Sequence, residues 1–535
     1  MLTLRRPLFL AASALALAPA GFTLSAQAKP APRAPQLVVM ITVDQLRADA
    51  YERYRKHITG GLARIYEQGA VFTDGYQDHA FTETAPGHAS LLSGRFPVHT
   101  GIATNAHGVN TPNSPLLMGR PGEPGASPFR VIGTGLLDWM RAVRPDTRFL
   151  SVSRKDRGAI LPIGRAKGDV YWYSTTGRFT TSTYYADTLP SWVRQFNDRQ
   201  LARAWAGKSW ELLRDAAAYA EPDSVPVENQ GRDYVFPHQL PRDSTALDTA
   251  IVTTPFMDQM TLQLALEGVE RVGLGATVGR TDLLAVSLSS TDAVGHRYGP
   301  DSREYHDQVL RLDQYLGAFL DSLFTMRDST RIVIALSADH GVMPFPTLVS
   351  TVEPNAGATR VDMAPTWAMT RARLARAGVP DSLVTMDQNI LVLQTKALAA
   401  RGFSADSIAL AFARDVKRIN GVLRADLVSA LARVDTTKDV IARRWLHTLN
   451  PASDTTRLAI TFTVHSYYGQ GTNATHGSPH DGDAHVPIVF RGPGVKKGRV
   501  RRFVRTVDIG PTLAALIGVA PMEKLDGRVL REAMK

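Results

Sequence analysis

The chain has 535 residues, of which 44% are hydrophobic and 21% charged, and it carries a formal net charge of +11. This balance excludes an extensively disordered chain, and the complete lack of cysteine excludes disulfide bonds and thiolate metal ligands. Lysines and arginines are dispersed apart from the dense run Lys496–Arg502, so no nucleic-acid partner is expected.

Residues 1–28 predict a signal peptide and not a part of the fold. Arg5 and Arg6 precede an apolar run that ends near Gly21, and Ala26–Ala28 supplies a small-residue cleavage site. The run is too short and too often interrupted to predict a comfortable membrane span, although an uncleaved anchor is the alternative. We expect a periplasmic or secreted protein without a stable span after cleavage, exported by the general or the twin-arginine route.

Beyond the leader, short apolar runs that predict buried parallel strands alternate with longer amphipathic segments, which is typical of an α/β layer architecture. The clearest predicted strands are Leu37–Val43, Arg148–Val152, Leu283–Leu288, Ile332–Leu336 and Val486–Phe490. The predicted helices are Gly133–Val143, Pro190–Ala218, Arg303–Phe324 and Val507–Ile517. We therefore predict a central, mostly parallel sheet flanked by helices, in a catalytic domain built from residues 29–344 and 471–535.

Two segments interrupt this alternation. Residues from about 160 to 250 are rich in Tyr, Trp, Asp and Pro and show weak periodicity, which indicates an insertion in the catalytic domain. Residues 345–470 show a helix–strand–helix–strand pattern over Thr366–Ala377, Asn389–Gln394, Ala405–Arg418 and Val422–Leu427. We predict that residues 345–470 form a small inserted α+β cap, which either walls a site and selects substrates or only stabilises the periphery.

Acidic side chains follow the ends of three predicted strands. Asp44, Asp292 and Asp339 each come just past a buried apolar run. Because open parallel sheets bind ligands at the carboxyl ends of their strands, these three carboxylates are expected to share one site.

Three histidines complete this set. His296 stands four residues after Asp292, a spacing that puts both on one face of a helix, and His340 directly follows Asp339. His476 lies in the late segment THGSPHDGDAH, where two further histidines are possible substitutes. Three carboxylates and three imidazoles can fill the inner shells of two Zn²⁺ ions, although each pair alone could be a surface ion pair or a helix cap.

Thr84 is the predicted nucleophile. Pro86 fits the first turn of a helix, which would place Thr84 at the helix N-terminus. Free backbone N–H groups and the helix dipole there favour a phosphoryl group and a deprotonated oxygen. A metal is still needed, because a free hydroxyl is too weakly acidic to attack at neutral pH. Thr82 is a competing nucleophile, and an ordinary capping threonine is the structural alternative.

The order of the segments VDQLRAD, TAPGH, PVHTGI, DAVGHRYGP, SADHG and a late histidine before VPIVFRGPG resembles the alkaline phosphatase superfamily over nearly the whole mature chain. The resemblance implies an alkaline-phosphatase-like sandwich with two zinc ions. One ion would be held by Asp292, His296 and His476, and the other by Asp44, Thr84, Asp339 and His340. His476–Gly477 matches the late His-Gly segment of the superfamily better than His480 or His485 does.

Two further features resemble the phosphate-irrepressible, PafA-like alkaline phosphatases. Lys155 and Arg157, in SRKDRGAI, look like their K-x-R segment, and Asn105, in GIATNAH, matches their phosphoryl-binding asparagine. A monoester dianion presents two charged oxygens beyond the one that the metals hold, and Lys plus Arg can meet that charge with strong hydrogen bonds. The resemblance therefore implies hydrolysis of small-molecule phosphate monoesters through a covalent phosphothreonine.

The nearest rival to this interpretation is a nucleotide pyrophosphatase/phosphodiesterase, which shares all the metal ligands. A sulfatase is disfavoured because the chain lacks the cysteine from which sulfatases make their formylglycine nucleophile. The same ligand pattern is also consistent with a phosphonoacetate-type hydrolase, a phosphate-transferring mutase or a catalytically silent phosphate- or metal-binding protein. The sequence does not predict an oligomeric state.

Overall fold

The strands and helices follow the apolar runs of the sequence closely. The computed structural model describes residues 1–2, 34–469 and 473–535. Its strands are β1 (Leu37–Val43), β2 (Ala70–Tyr76), β3 (Phe149–Ser153), β4 (Asp169–Tyr173), β5 (Phe179–Thr180), β6 (Ser209–Trp210), β7 (His238–Gln239), β8 (Asp282–Leu288), β9 (Ile332–Ser337), β10 (Arg360–Val361), β11 (Val384–Asp387), β12 (Ile390–Leu393), β13 (Val422–Leu427), β14 (Thr456–Phe462), β15 (Tyr467–Tyr468), β16 (Ile488–Arg491) and β17 (Gly498–Arg505). Its α-helices are α1 (Ala50–Tyr54), α2 (Gly61–Gln68), α3 (Thr84–Ser93), α4 (Pro97–Thr100), α5 (Leu136–Val143), α6 (Asp156–Ile160), α7 (Ser191–Asp198), α8 (Ser244–Ala250), α9 (Phe256–Arg271), α10 (Ser290–Tyr298), α11 (Arg303–Met326), α12 (Pro346–Val352), α13 (Ala364–Arg376), α14 (Thr395–Ala399), α15 (Ala405–Val416), α16 (Val428–Leu431), α17 (Val440–Thr448), α18 (Asp481–Ala484) and α19 (Ile509–Leu516).

The central sheet, as far as the chain is described, has nine strands in the order β17-β2-β16-β9-β1-β8-β3-β4-β5. β1 runs parallel to both β8 and β9, and β3 runs parallel to β8 and β4. Every residue of β1, β8 and β9 is buried, which is the pattern of a sheet covered on both faces. The predicted fold class, an α/β fold with a mostly parallel sheet flanked by helices, is confirmed.

Alternating side chains of β1 divide the core into two layers. Val39 and Ile41 belong to a buried cluster that includes Leu264 of α9 and Leu316 of α11. Val38 and Met40 point to the other face, where Leu91 of α3, Trp139 of α5 and Leu513 of α19 form a second cluster. This alternation places α3 against one face of the sheet, with its first residue near the carboxyl end of β1.

A smaller antiparallel sheet lies between residues 384 and 462, with the strand order β11-β12-β14-β13. Leu391, Phe412 and Leu458 contribute to its own hydrophobic cluster. Trp445 of α17 packs edge-on against Phe81, with ring centroids 5.3 Å apart. This part of the chain therefore contacts the segment that leads into α3. The boundaries of the predicted cap, residues 345–470, and its role stay predictions.

Asp78 is a buried carboxylate that joins three parts of the fold. Its carboxylate oxygens lie 3.0 Å from Arg443 Nε and 3.3 Å from Arg444 Nε, both on α17. Arg505 Nε, at the end of β17, lies 3.0 Å from the same carboxylate. Because Asp78 is fully buried, these ion pairs hold α17 against the loop that follows β2.

Two predicted elements need correction. The predicted helix Pro190–Ala218 is wrong beyond Asp198, where α7 ends. Gln200 and Gly207 adopt left-handed backbone conformations, with φ of 46° and 68°, and neither can continue a right-handed helix. The predicted parallel strand Val486–Phe490 is observed as β16, which runs antiparallel to both β9 and β2.

The predicted signal peptide, residues 1–28, lies outside the described residues apart from its first two. Ala34–Lys535 forms one compact unit. No helix in the described part of the chain combines the length and the apolar character that crossing a bilayer requires.

Candidate active site

Three buried carboxylates meet at the carboxyl ends of the central strands. Asp44 directly follows β1, Asp339 comes two residues after β9, and Asp292 lies in the first turn of α10, which begins just after β8. Asp44 and Asp339 are fully buried, and Asp292 is 4% exposed. The parallel order of these strands explains why residues so distant in sequence come together.

Three histidines point their Nε2 atoms toward these carboxylates and their Nδ1 atoms toward backbone carbonyl oxygens. The Nδ1 atoms of His296, His340 and His476 lie 2.7, 2.9 and 2.8 Å from the backbone carbonyl oxygens of Ala474, Gly341 and Thr82. A carbonyl can only accept, so each Nδ1 must carry the proton and donate it. In the neutral imidazole each Nε2 then carries a lone pair, and hydrogen-bonded imidazoles of this kind are typical metal ligands.

The first of two ligand groups consists of Asp292, His296 and His476. The two Nε2 atoms are 3.2 Å apart, and Asp292 Oδ1 lies 3.3 Å from His296 Nε2 and 3.6 Å from His476 Nε2. With both protons on Nδ1, the two imidazoles face each other with lone pairs and cannot hydrogen bond. Zinc–ligand bonds of about 2.0–2.1 Å in a tetrahedron separate the ligand atoms by about 3.3 Å. The three atoms therefore fit one face of a tetrahedral zinc site.

The second group contains Asp44, Asp339 and His340. His340 Nε2 lies 3.5 Å from Asp44 Oδ1 and 3.6 Å from Asp339 Oδ2. Both Asp44 oxygens and His340 Nε2 are buried, and no described residue forms an aligned hydrogen bond with them. Asp292 also brings a ligand atom within 4.8 Å of Asp44 and His340, so it lies between the two groups. Buried oxygen and nitrogen lone pairs of these types suit a second cation.

The carboxylates repel one another strongly. Burial and the neighbouring Asp292 and Asp339 carboxylates raise the pKa of Asp44 to about 7. Burial also opposes ionisation of Asp292, but the Lys155 ammonium and His296 hold its pKa well below the usual range. The Lys155 Nζ atom lies 2.7 Å from Asp44 Oδ2 and 2.7 Å from Asp292 Oδ2. A single ammonium balances only part of this negative charge, and divalent cations would balance it fully.

Thr84 is the first residue of α3, and its hydroxyl faces this centre. Lys155 Nζ donates a hydrogen bond of 3.1 Å to Thr84 Oγ1, and Thr84 is 1% exposed. The hydroxyl of Thr82 instead donates to the carbonyl oxygen of Ser478 at 2.9 Å. The geometry therefore separates the two candidate nucleophiles, because only the Thr84 oxygen lies beside the acidic cluster.

Helix α3 rests directly on the backbone at Asp339. A Cβ atom placed on Gly87 would lie 2.2 Å from the Asp339 carbonyl oxygen. His88 Nδ1 lies 2.9 Å from the Thr84 carbonyl oxygen and 3.1 Å from Asp339 Oδ2, while its Nε2 lies 2.8 Å from Ser287 Oγ. His88 has no role predicted from the sequence, although its position one helical turn after Thr84 puts it on the same face of α3.

The three predicted phosphoryl-binding residues are placed differently from one another. Asn105 Oδ1 accepts a 2.8 Å hydrogen bond from the Ala85 N–H, so its amide nitrogen is the group left to donate to a ligand. Lys155 lies inside the acidic cluster, whereas Arg157 Nη1 lies 3.6 Å from Asp156. Arg154, which has no role predicted from the sequence, lies 3.8 Å from Asp292 Oδ2 through its Nη2 atom.

The segment that carries His476 is held by a further buried acid. Asp483 Oδ2 accepts hydrogen bonds from the backbone N–H and the hydroxyl of Ser478, at 3.0 and 2.7 Å, and burial raises the pKa of Asp483 to about 6. The two neighbouring histidines turn elsewhere, since the Nε2 atoms of His480 and His485 lie 2.8 and 3.0 Å from the carbonyl oxygens of Phe462 and Thr73.

Comparison with known proteins relates this arrangement to characterised phosphatases. Residues 38–401 match the model of the type I phosphodiesterase / nucleotide pyrophosphatase family. The chain is 33% identical to alkaline phosphatase PhoK of Sphingomonas sp., over 93% of this chain and 91% of that protein. It is 29% identical to alkaline phosphatase PafA of Elizabethkingia meningoseptica, over 93% and 94% of the two chains.

Solved structures of related phosphatases and phosphodiesterases have a similar fold. The crystal structure of wild-type alkaline phosphatase PafA superposes with a TM-score of 0.84 at 26% identity, covering 95% of this chain and 100% of that chain. Murine ectonucleotide pyrophosphatase/phosphodiesterase 5 superposes with a TM-score of 0.51 at 12% identity, covering 93% of this chain and 100% of that chain, which shows a likeness of fold alone.

Proposed function

Because the chain belongs to the type I phosphodiesterase / nucleotide pyrophosphatase family, and within it to the PafA-like alkaline phosphatases, we propose that it is an exported two-zinc phosphatase of phosphate monoesters. The predicted family and the predicted enzyme class, a phosphatase and thus a hydrolase, are confirmed by these relatives. The zinc ions, the covalent intermediate, the monoester preference and export are the proposal.

The donor atoms support two zinc ions. Three imidazole nitrogens and three carboxylates form a ligand set that suits Zn²⁺ better than it suits harder or softer cations. We assign one ion to Asp292, His296 and His476, and the other to Asp44, Thr84, Asp339 and His340. When bound, such ions act as Lewis acids that stabilise the negative charge on the reacting oxygens.

Thr84 is assigned as the nucleophile because its hydroxyl oxygen accepts a hydrogen bond from Lys155 Nζ at 3.1 Å. A donating ammonium favours the deprotonated form of that oxygen, as does the N-terminus of α3. Thr84 Oγ1 attacks the phosphorus atom, and the bond to the leaving alcohol breaks. Water then cleaves the phosphothreonine and releases inorganic phosphate.

A preference for monoesters rests on the charge beside Thr84. A monoester dianion carries one more negative charge than a diester, and a buried ammonium next to the nucleophile matches that extra charge. Lys155 supplies this charge, Asn105 has a free amide donor beside Ala85, and Arg157 is proposed to contact the same phosphoryl group when substrate is bound. A diester replaces one of the charged phosphoryl oxygens with a bulky neutral arm, and so removes the additional negative charge that Lys155 and Arg157 are proposed to meet.

The test compares rates on an aryl monoester and an aryl diester of phosphate with the same leaving group. We expect the wild-type enzyme to hydrolyse the monoester faster, and the Lys155→Ala plus Arg157→Ala variant to lose most of that preference. Lys167→Ala, which removes an exposed lysine beside the Tyr184 ring, serves as the control and should keep the wild-type ratio. A faster diester reaction in the wild type would favour a phosphodiesterase and refute the assignment.

Export is proposed from the features of residues 1–28. Amino-terminal sequencing of the protein recovered from the periplasm or medium should begin after Ala28. Recovery of an uncleaved chain with the membrane fraction would favour an anchor.

Residues 345–470 are proposed to form the cap of this site. The contacts of Phe81 with Trp445, and of Asp78 with Arg443 and Arg444, support that proposal because Phe81 and Asp78 lie just before Thr84 in the chain.

A further inference from the structure

A cavity of about 560 Å³ lies beside His296. Its walls come from α10, from the loop at Asn229 and Gln230, and from Arg360 and Tyr468. Within the described residues, the lining includes His296 but neither Thr84 nor any carboxylate. The volume is that of a typical small-molecule site, and His296 connects the cavity directly to the group that also contains Asp292 and His476.

Two arginines give this cavity a positive charge. Arg297 and Arg360 both line it, and, among the described residues, neither has a carboxylate within 4.0 Å. Arg297 follows His296 directly on α10, one helical turn after Ala293, which also lines the cavity. Arg360 Nη2 donates to the carbonyl oxygen of Asn473 at 2.6 Å, which fixes the position of the guanidinium group.

The wall opposite α10 is conformationally unusual. Asn229 and Gln230 adopt consecutive left-handed backbone conformations, with φ of 45° and 59°. Non-glycine residues in this region are disfavoured and cluster at functional sites. Gln230 Nε2 donates to Asn473 Oδ1 at 3.2 Å, so this loop is joined to the segment that also holds Arg360. The amide groups and the two guanidinium groups together offer donors to an anion.

We propose that this cavity binds a second anionic group on the leaving alcohol, so that the preferred substrates are phosphate monoesters whose alcohol carries a carboxylate or another phosphate. This inference rests on the proposed function. In phosphoryl transfer the leaving oxygen lies opposite the attacking one. Thr84 is assigned to the group of Asp44, Asp339 and His340, and His296 belongs to the other group, so we place the leaving alcohol on the His296 side of the phosphoryl group, toward Arg297 and Arg360.

The test uses three aryl monoesters: phenyl phosphate, and phenyl phosphates that carry a carboxylate or a phosphonate at the meta position. A meta substituent changes the acidity of the phenol little, so the ratio of kcat/KM values reports binding of the added anion. We expect each anionic substrate to exceed phenyl phosphate by about tenfold at low salt, and the ratio to fall as salt screens the charges. The larger of the two ratios distinguishes carboxylate from phosphoryl recognition.

Arg297→Gln and Arg360→Gln should each lower this ratio, and together they should bring it close to one. Arg457→Gln is the matched control, because Arg457 is also half-buried but does not line the cavity. It should keep the wild-type ratio. If phenyl phosphate is hydrolysed, a wild-type ratio near one, or a ratio that is unchanged in the double variant, would overturn the inference. Failure to hydrolyse any of the three monoesters would instead overturn the proposed function.

Discussion

Gly87 offers the sharpest test of how the nucleophile is positioned. This residue lies in the first turn of α3, three positions after Thr84, and a Cβ atom at Gly87 would lie 2.2 Å from the Asp339 carbonyl oxygen and 2.8 Å from the Asp339 carbonyl carbon. Real Cβ contacts are essentially never shorter than 3.0 Å. The contacted atoms belong to the backbone, so they cannot rotate aside, and the Gly87→Ala variant must move α3 away from Asp339.

The required movement sets the expected size of the effect. Opening the contact to an ordinary separation moves the first turn of α3 by about 1 Å, and a misplacement of about 1 Å can lower the rate by about 100-fold. Overpacking of a buried contact also costs about 1–3 kcal/mol of folding free energy. Because Thr84 moves with the helix while Lys155 stays on the β3–α6 turn, the 3.1 Å contact between them lengthens.

The assay is kcat/KM for an aryl monoester, measured together with Tm and bound zinc. We expect Gly87→Ala to lose about 100-fold in kcat/KM, with a modest fall in Tm and near-complete metal content. Gly135→Ala is the control, because a Cβ atom there meets its nearest neighbour, the Leu92 carbonyl oxygen, at an ordinary 3.4 Å. Wild-type kcat/KM in Gly87→Ala would refute the idea that the contact of α3 with Asp339 positions the nucleophile.

Three further predictions address the nucleophile, the metals and the response to pH. Thr84→Ala should abolish the trapped phosphoenzyme, whereas Thr82→Ala should still form it, and a phosphoenzyme in Thr84→Ala would point to another nucleophile. Chelation should remove activity, and zinc should restore it better than magnesium, because imidazole ligands disfavour magnesium; equal rescue would contradict a nitrogen-rich site. Burial and the nearby Glu304 and Asp223 raise the pKa of Glu228 to about 9. The folded state therefore holds a proton that the unfolded chain releases above its ordinary pKa of 4.5, so this group lowers stability progressively as the pH rises from 4.5 to about 9. Each pH unit between 4.5 and about 9 costs about 1.4 kcal/mol, so Glu228→Gln should stabilise the protein by several kcal/mol more at about pH 9.5 than at about pH 5 in urea unfolding, and equal gains would contradict the buried, protonated carboxyl.

Much of the sheet could be predicted because its strands are continuous apolar runs. Leu37–Val43 was predicted residue for residue, since every position is buried and Asp44 ends the run. Strands of the insertion were missed for the opposite reason. Asp169–Tyr173 lies in the segment of weak periodicity, and although four of its five residues are buried, Val170 is its only aliphatic residue, so the sequence contains no continuous aliphatic run there. Its Val, Tyr and Trp residues favour β structure, so residue propensity is the signal that could reveal this strand.

The residue types of the site were predictable, but several side-chain directions were not. The positions of Asp44, Asp292 and His340 could be predicted because binding sites in open parallel sheets lie at the carboxyl ends of the strands. The direction of Lys155 follows from the turn between β3 and α6, where it stands before the first helical residue with φ of −92° and ψ of 139°. That turn sends Lys155 and Arg154 toward the carboxylates. The spacing of residues in a sequence does not reveal the backbone conformation of this turn. It therefore could not predict that Arg154, and not Arg157, lies near the Asp292 carboxylate.

The wide separation of the ligands along the chain has a consequence for how the enzyme matures. The hydrogen bond that orients His476 reaches across 394 residues to Thr82, and the backbone contact of Gln45 with Asp339 spans 294 residues. No short stretch of the nascent chain contains a complete set of the proposed ligands, so we expect the proposed zinc ions to bind only after the sheet has formed. A chain exported unfolded would therefore take its zinc outside the cytoplasm, whereas a chain exported folded could carry zinc from within. The cellular compartment in which the metal is inserted thus depends on the export route.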